Sequence, residues 1–174
     1  MGVDYRTIKF PVMEMFRSIQ GEGTFMGRKV LFIRLAGCNL SCPWCDTKES
    51  WNPTEVEMMS AEQIASQVVS DETVTITGGE PTIHKDLGYL VERLHQMNCF
   101  VTVETNGTNP VPNNFNWITC SPKPPEYKIH PFLDPHELKY VVTKESNPSK
   151  HISDELRNMY NGLIWLQPDG TNFE

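Results

Sequence analysis

Short strand-like runs that alternate with helical patterns predict an α/β fold with a mostly parallel sheet. Each apolar run is followed by a glycine or polar motif, which is typical of strands that end in functional loops. The chain has 174 residues, of which 39% are hydrophobic, so it is long enough for one domain with its own core. We therefore expect residues 1–174 to form a single domain with right-handed crossovers between parallel strands.

Six strands and three helices make up the predicted elements. The strands are predicted over residues 29–35, 73–77, 99–104, 117–120, 137–142 and 163–167. The first of these runs is mostly apolar, as expected for a strand buried in a parallel sheet. A capping box, Ser60-Ala61-Glu62-Gln63, predicts a helix that extends to about Ser70. Amphipathic spacing predicts a helix over residues 85–98, and a third helix is expected over residues 153–160.

The composition excludes several classes of function. A net charge of −7 argues against a general nucleic-acid binder, which needs a basic surface. No apolar run approaches the roughly 20 residues of a membrane span, and the N-terminus lacks a secretory signal. Five cysteines, three of them clustered, suit a reducing, cytoplasmic compartment better than a disulfide framework. Cys99 and Cys120 lie in apolar runs and are interpreted as buried hydrophobic residues.

The three clustered cysteines, Cys38, Cys42 and Cys45, form the motif C-x3-C-x2-C. Three thiolates can bind three irons of a 4Fe–4S cluster and leave the fourth iron open to a second ligand. The spacing is similar to that of the radical S-adenosylmethionine (SAM) enzymes, which usually carry an aromatic residue at the position of Trp44. The alternatives are a zinc site completed by a further ligand, or loop thiols without a metal.

Glycine and polar motifs follow four of the other predicted strands, at the sheet edge where parallel folds bind their ligands. These motifs are Thr77-Gly78-Gly79-Glu80-Pro81, Glu104-Thr105-Asn106-Gly107, Ser121-Pro122-Lys123 and Gln167-Pro168. Two consecutive glycines allow a backbone to approach a ligand closely, although a plain turn would have the same sequence. The Ser-Pro-Lys motif combines a hydroxyl and a cation, but it also fits an ordinary proline turn.

Several polar residues allow both a structural and a functional interpretation. Arg34 lies in an apolar strand and therefore needs an anion. That anion is either Glu14 or Glu22, or the carboxylate of a substrate that the guanidinium would bind in bidentate fashion. Residues 19–23, Ile-Gln-Gly-Glu-Gly, are either a flexible loop or a polar contact for a heterocycle. For Lys139 the pattern favours a surface position over an inward-facing one.

Together these motifs resemble those of the 7-carboxy-7-deazaguanine synthase family of radical SAM enzymes. The cysteine motif is shared by the whole radical SAM superfamily. The motifs that are specific to this one family are residues 18–23, Cys45-Asp46-Thr47 and Ser121-Pro122-Lys123. The resemblance implies a lyase that converts 6-carboxy-5,6,7,8-tetrahydropterin to 7-carboxy-7-deazaguanine with loss of ammonia, in queuosine and deazapurine biosynthesis. It also implies a partial (β/α)6 radical-SAM barrel, which we expect to be shortened at the C-terminus.

The resemblance further implies three cofactors, namely a 4Fe–4S cluster, SAM and Mg²⁺. Cys38, Cys42 and Cys45 would bind the cluster, and the Thr47 hydroxyl would bind Mg²⁺, which prefers oxygen ligands. The implied SAM contacts are Trp44, Cys45, Asp46, Gly79, Ser121, Pro122, Lys123 and Gln167. The implied substrate contacts are Ile19, Gln20, Gly21, Arg34 and Thr77. No residue is assigned as a general acid or base.

The implied partners are a flavodoxin-like electron donor and, as a homodimer, a second copy of the chain. Two alternative functions remain at this point. An activase of a glycyl-radical enzyme, such as the one for anaerobic ribonucleotide reductase, shares the cysteine motif, but its protein substrate would not need the carboxylate contact of Arg34. A non-enzymatic iron–sulfur or zinc module would leave the Gly-Gly and Ser-Pro-Lys motifs unexplained.

Overall fold

The computed structural model describes residues 2–143, 148, 152, 154 and 160–168, and one mostly parallel sheet runs through them. Its strands are β1 (Lys9–Ile19), β2 (Lys29–Leu35), β3 (Glu57–Ser60), β4 (Thr73–Gly78), β5 (Phe100–Thr105), β6 (Trp117–Cys120), β7 (Glu137–Val142) and β8 (Leu163–Pro168). Their order across the sheet is β3-β1-β2-β4-β5-β6-β7-β8. From β2 to β8 all neighbours are parallel, while β1 pairs antiparallel with β2 and β3.

The six predicted strands are all present, and each bound lies within one residue of the prediction. The prediction of a mostly parallel α/β sheet is therefore confirmed. The two antiparallel strands, β1 and β3, were missed. Strand β1 contains Pro11 and the charged residues Lys9, Glu14 and Arg17, so it lacks the apolar run that marks the parallel strands. Strand β3 is only four residues long.

The first helix, α1 (Ala61–Ala65), begins with the predicted capping box. Ser60 Oγ accepts a hydrogen bond from the backbone N–H of Gln63 at 3.1 Å, and Gln63 Oε1 accepts one from the backbone N–H of Ser60 at 2.8 Å. The helix is shorter than predicted and ends well before Ser70. The sequence that follows contains adjacent valines, and β-branched residues have a low helix propensity.

The second helix, α2 (Leu87–His95), lies inside the range predicted for it. The third predicted helix, over residues 153–160, lies outside the described residues except for Asp154 and Tyr160. The connections over residues 106–116 and 121–136 contain no helix, so fewer crossovers are helical than a (β/α)6 pattern predicts. Both connections are rich in proline, which interrupts helices. No helix in the described part of the chain is long and apolar enough to cross a membrane.

The two faces of the parallel strands differ in polarity, and this difference positions the site. One face is apolar and forms a core with α1 and α2; its members include Leu31, Ile33, Leu35, Val74, Ile76, Val101, Val103, Ile64, Leu87, Leu90, Val91 and Leu94. Alternate residues point to the other face. There the strands carry buried polar side chains, among them Thr75, Thr77, Thr102, Thr119, Glu137 and Lys139.

Candidate active site

A cavity of about 860 Å³ lies on the polar face of the sheet and brings the predicted site residues together. Its size is in the upper part of the range for small-molecule sites. The predicted residues that line it are Ile19, Gln20, Gly21, Arg34, Cys38, Cys42, Trp44, Cys45, Asp46, Thr47, Thr77, Gly79, Ser121, Lys123 and Gln167. Pro122 is buried and does not belong to the lining. Site residues that were predicted in separate segments of the sequence therefore line the same cavity.

The three clustered cysteines are free thiols that lie on the loop after β2 and line one wall of this cavity. Burial raises the pKa of the Cys38 and Cys42 thiols, and the nearby Lys123 cation lowers it in part. The backbone N–H of Leu40 donates a hydrogen bond to Cys38 Sγ at 3.4 Å. The loop presents three thiols and an N–H directed at a sulfur, and Lys123 lies near them, so this group of residues fits an iron–sulfur cluster.

Within the described residues, no group of three or more His, Cys, Asp or Glu side chains is arranged so that it could already hold a metal ion. Metal binding itself supplies free energy that brings thiolate ligands together. The other two cysteines, Cys99 and Cys120, are buried as predicted, and burial raises the pKa of Cys120 to about 12.

The Gly78-Gly79 turn at the end of β4 packs directly on the start of the cysteine loop. The backbone N–H of Gly79 donates to the carbonyl of Leu35 at 3.1 Å, and that of Glu80 donates to the carbonyl of Gly37 at 2.8 Å. A Cβ on Gly79 would overlap the Gly37 carbonyl, and a Cβ on Gly78 would overlap that of Leu35. The two glycines are therefore required by the close approach of two backbones, besides any contact with a ligand.

The side chain of Glu80 points away from solvent and cross-links this turn to the end of β5. It is 1% exposed and accepts hydrogen bonds from Thr82 Oγ1 at 2.6 Å, Thr105 Oγ1 at 2.7 Å and the backbone N–H of Asn106 at 2.6 Å. Asn106 Nδ2 in turn donates to Asn39 Oδ1 in the cysteine loop at 3.0 Å. This role of Glu80 could not be predicted from its motif.

A second carboxylate, Glu104, lies on the polar face at the end of β5 and lines the cavity. Its two oxygens accept hydrogen bonds from Gln20 Nε2 and Thr77 Oγ1, each at 3.0 Å. The structure thus joins two predicted substrate contacts through a residue to which sequence analysis assigned no role. The alternation of polar and apolar residues in β5 was the available signal, because it places Thr102 and Glu104 on one face.

Lys139 faces the cavity, so the prediction of a surface position is wrong. It is 8% exposed and forms an ion pair with Glu22 of the β1–β2 loop. Burial lowers the pKa of Lys139, but the charges of Glu104, Glu22 and Glu137 raise it by more, and the net pKa lies above its usual value. Alternation along β7 explains the position, since Glu137 and Lys139 are two residues apart and share a face.

Arg34 forms an ion pair with Glu14, its cross-strand neighbour in β1, with 2.7 Å between Arg34 Nε and Glu14 Oε1. Of the two internal partners considered from the sequence, Glu14 is therefore the correct one, and Glu22 pairs with Lys139 instead. The terminal nitrogens of the Arg34 guanidinium make no hydrogen bond to the described residues. Because Arg34 also lines the cavity, one side of its planar fork remains open to an anion.

The Ser-Pro-Lys motif forms a wall of the cavity near the cysteine loop. Lys123 Nζ donates to Ser121 Oγ at 2.7 Å and lies 5.5 Å from the centre of the Trp44 ring. Burial lowers the pKa of Lys123, and the neighbouring Lys139 lowers it further. The Thr47 hydroxyl donates to Asp46 Oδ1 at 3.1 Å on the same loop as the cysteines.

Comparison with known proteins shows the superfamily to which this chain belongs. The family model of the radical SAM superfamily matches residues 32–119, which is half of the chain. The crystal structure of QueE from Escherichia coli is similar with a TM-score of 0.77 and 32% identity, over 93% of this chain and 85% of that one. The chain therefore belongs to the radical SAM superfamily, whose members use a 4Fe–4S cluster and SAM, and its predicted fold class is confirmed.

Curated relatives define the family more closely. The chain is 38% identical to 7-carboxy-7-deazaguanine synthase of Synechocystis sp. over 81% of this chain and 69% of the relative. It is 39% identical to the protein of the same name from Aquifex aeolicus over 92% of this chain and 78% of the relative. The chain is thus a member of the 7-carboxy-7-deazaguanine synthase family, as its motifs predicted. These relatives do not support the two alternative functions, a glycyl-radical activase and a non-enzymatic metal module.

The backbone contact at Gly79 generates a prediction about cluster assembly. Gly79→Ala should lower the iron content of anaerobically reconstituted protein, because the added Cβ would push on Gly37 and lie 2.9 Å from Cys38 Cβ. The matched control is Gly21→Ala, at a cavity glycine whose added Cβ would meet no atom within 4 Å. Iron and sulfide analysis should show a clear loss in the first variant and wild-type content in the second. Full iron content in Gly79→Ala would contradict this account.

Proposed function

We propose that this chain is a radical SAM carbon–nitrogen lyase that converts 6-carboxy-5,6,7,8-tetrahydropterin to 7-carboxy-7-deazaguanine. One observation carries the proposal. The three thiols of Cys38, Cys42 and Cys45 share a single cavity with a guanidinium whose outer edge is open, and with a buried polar floor. The names of the relatives and the solved structure support the same activity.

The floor of the cavity supplies contacts for the heterocycle. Glu104 presents a carboxylate that is complementary to the N–H groups of a pterin ring, and Gln20 and Thr77 hold it in place. Arg34 would bind the substrate carboxylate through its open terminal nitrogens while Glu14 keeps Nε occupied. Ile19 and Gly21, the chain neighbours of Gln20, also line the cavity, and we propose them as further substrate contacts.

The opposite wall would hold the cofactors. When bound, the cluster and SAM would supply one-electron radical chemistry. Trp44, Cys45, Asp46, Gly79, Ser121, Lys123 and Gln167 line this part of the cavity, and we propose them as the SAM contacts. Pro122 is proposed to contribute only by fixing the backbone between Ser121 and Lys123, because it lies outside the lining.

Mg²⁺ is proposed to bind at the Thr47 hydroxyl. Mg²⁺ prefers oxygen ligands and usually takes only one or two from the protein, so substrate oxygens would complete its shell. Thr47 lines the cavity, and Asp46 Oδ1 lies within hydrogen-bonding distance of its hydroxyl. Bound there, the metal would neutralise negative charge on the substrate.

Four further proposals concern the chain as a whole. We propose that residues 1–174 form one radical SAM domain, which is supported by the single sheet that contains every described strand. We also propose a cytoplasmic setting, a flavodoxin-like electron donor and a homodimer. The electron donor follows from the need of the cluster for one electron per activation.

Turnover by the reconstituted protein tests the proposed activity. Anaerobic protein supplied with SAM, a reductant and 6-carboxytetrahydropterin should release ammonia and the deazaguanine product, detected by mass spectrometry. Cys42→Ala should abolish both the EPR signal of the cluster and turnover, because the cluster would lose one of its three thiolates. Cys99→Ala should retain both. A normal cluster in Cys42→Ala, or no product from wild type with an intact cluster, would refute the proposal.

The Arg34 contact makes a second prediction. Wild type should bind 6-carboxytetrahydropterin more tightly than tetrahydropterin, by on the order of 10- to 150-fold, because a charge-assisted hydrogen bond is worth roughly 1.5–3 kcal/mol. Arg34→Lys keeps the charge but loses the planar fork, so its discrimination between the two ligands should be much smaller. Calorimetric titration measures both affinities. Equal discrimination by the two proteins would leave Arg34 with only its structural ion pair to Glu14.

The proposed metal contact predicts a dependence on Mg²⁺. Removal of Mg²⁺ with a chelator should slow wild-type turnover, and re-addition should restore it. Thr47→Val removes the hydroxyl at nearly constant volume, so this variant should need more Mg²⁺ for half-maximal rate, whereas Thr47→Ser should behave like wild type. If chelation leaves the wild-type rate unchanged, Thr47 has no metal to bind.

A further inference from the structure

A further carboxylate, that of Glu137, is buried and does not belong to the lining of the cavity. It is 2% exposed at the start of β7. Its Oε2 accepts hydrogen bonds from the backbone N–H of Thr24 at 3.0 Å, from Thr24 Oγ1 at 2.6 Å and from Trp165 Nε1 at 2.9 Å. Its Oε1 accepts one from Thr119 Oγ1 at 2.7 Å. One carboxylate thus joins the β1–β2 loop to three strands of the parallel sheet.

The loop that Glu137 holds belongs to the cavity wall. Residues 20–28 connect β1 to β2, and Gln20, Gly21 and Glu22 line the cavity just before Thr24. Because β1 is antiparallel to β2, this loop lies at the amino-terminal edge of the parallel strands, opposite the cysteine loop. The wall made by Gln20, Gly21 and Glu22 is therefore held by a different part of the chain from the cysteine loop.

The fit between loop and carboxylate is close. Gly23 adopts a left-handed backbone with φ of +65°, and a Cβ on it would lie 2.5 Å from Glu137 Oε1. This accounts for the second glycine of the Gln-Gly-Glu-Gly motif, which sequence analysis left as a mark of flexibility. Lys139, two residues further along β7, adds a second attachment through its ion pair with Glu22.

The contacts of Glu137 favour its ionised form. Burial raises the pKa of Glu137, but the hydrogen bonds donated by Thr24, Thr119 and Trp165 lower it by more, so its pKa lies below the usual value. All its partners donate, as an ionised carboxylate requires. Thr24 itself is an exposed residue, so its contribution to the loop comes from these hydrogen bonds rather than from packing.

We propose that Glu137 and Thr24 are positioning residues that hold the Gln20–Glu22 wall in the geometry needed to bind the heterocyclic substrate. The substrate in this statement rests on the proposed function, whereas the attachment of the loop does not. The cysteine loop is held by another set of contacts, through Glu80, Asn106 and Asn39. Loosening the Thr24 contact therefore affects substrate binding and leaves cluster and SAM binding unchanged.

Matched threonine variants test this inference in the reconstituted full-length protein. Thr24→Val and Thr119→Val each remove one hydroxyl donor to the same carboxylate at nearly constant volume, but only the first is on the loop. Thr24→Ser keeps the donor and serves as the rescue. Hydrogen–deuterium exchange of residues 20–28 measures the attachment of the loop, and the KM for 6-carboxytetrahydropterin and the Kd for SAM measure its consequence.

Thr24→Val should exchange faster in residues 20–28 and show a KM raised on the order of 10-fold, with iron content and SAM affinity unchanged. Thr119→Val and Thr24→Ser should match wild type in both loop exchange and KM. If Thr24→Val exchanges no faster than Thr119→Val, the attachment is absent and the inference is overturned, whatever the substrate. Faster exchange with an unchanged KM would also overturn it. Failure of wild type to turn over the pterin would instead refute the proposed function, and the exchange result would still decide whether the loop is held.

Discussion

The close approach of the carboxyl ends of β2 and β4 is the constraint on which the rest of the site depends. Two backbone hydrogen bonds, from Gly79 to Leu35 and from Glu80 to Gly37, leave no room for a side chain at Gly78 or Gly79. The two segments stay paired past Leu35 and Gly78, the last pair of the β2–β4 ladder, and glycine allows this close approach because it has no Cβ. It fixes where the cysteine loop begins and hence which wall carries the thiols.

Buried carboxylates then make a polar cavity compatible with a stable fold. Glu80 and Glu137 are buried and Glu104 is half-buried, and each accepts hydrogen bonds from at least two other elements, so the lost hydration is compensated. A hydrogen bond to a charged group contributes roughly 1.5–3 kcal/mol, and an unpaired buried carboxylate costs more than that. The three residues therefore act as cross-links between strands around the cavity.

The site is assembled from both edges of the sheet. The general rule for parallel sheets places ligands at the carboxyl ends of the strands, and the cysteine loop, the Gly-Gly turn and the Ser-Pro-Lys motif follow it. The Gln20 loop comes from the opposite edge, because β1 enters the sheet antiparallel. An antiparallel strand next to the first parallel one thus lets loops from both edges of the sheet line a single cavity.

The amino-acid sequence was enough to predict the six parallel strands, the cysteine motif and the family, and every predicted site residue except Pro122 lines the cavity. These features depend on local patterns: apolar runs, glycine pairs and the spacing of thiols along one loop. Only the tertiary structure decided that Glu14 rather than Glu22 pairs with Arg34, that Lys139 points inward, and that Glu104 and Glu137 join distant segments. Such pairings depend on which strands are neighbours and in what register, and the charged, proline-containing sequence of β1 gives no local sign of either.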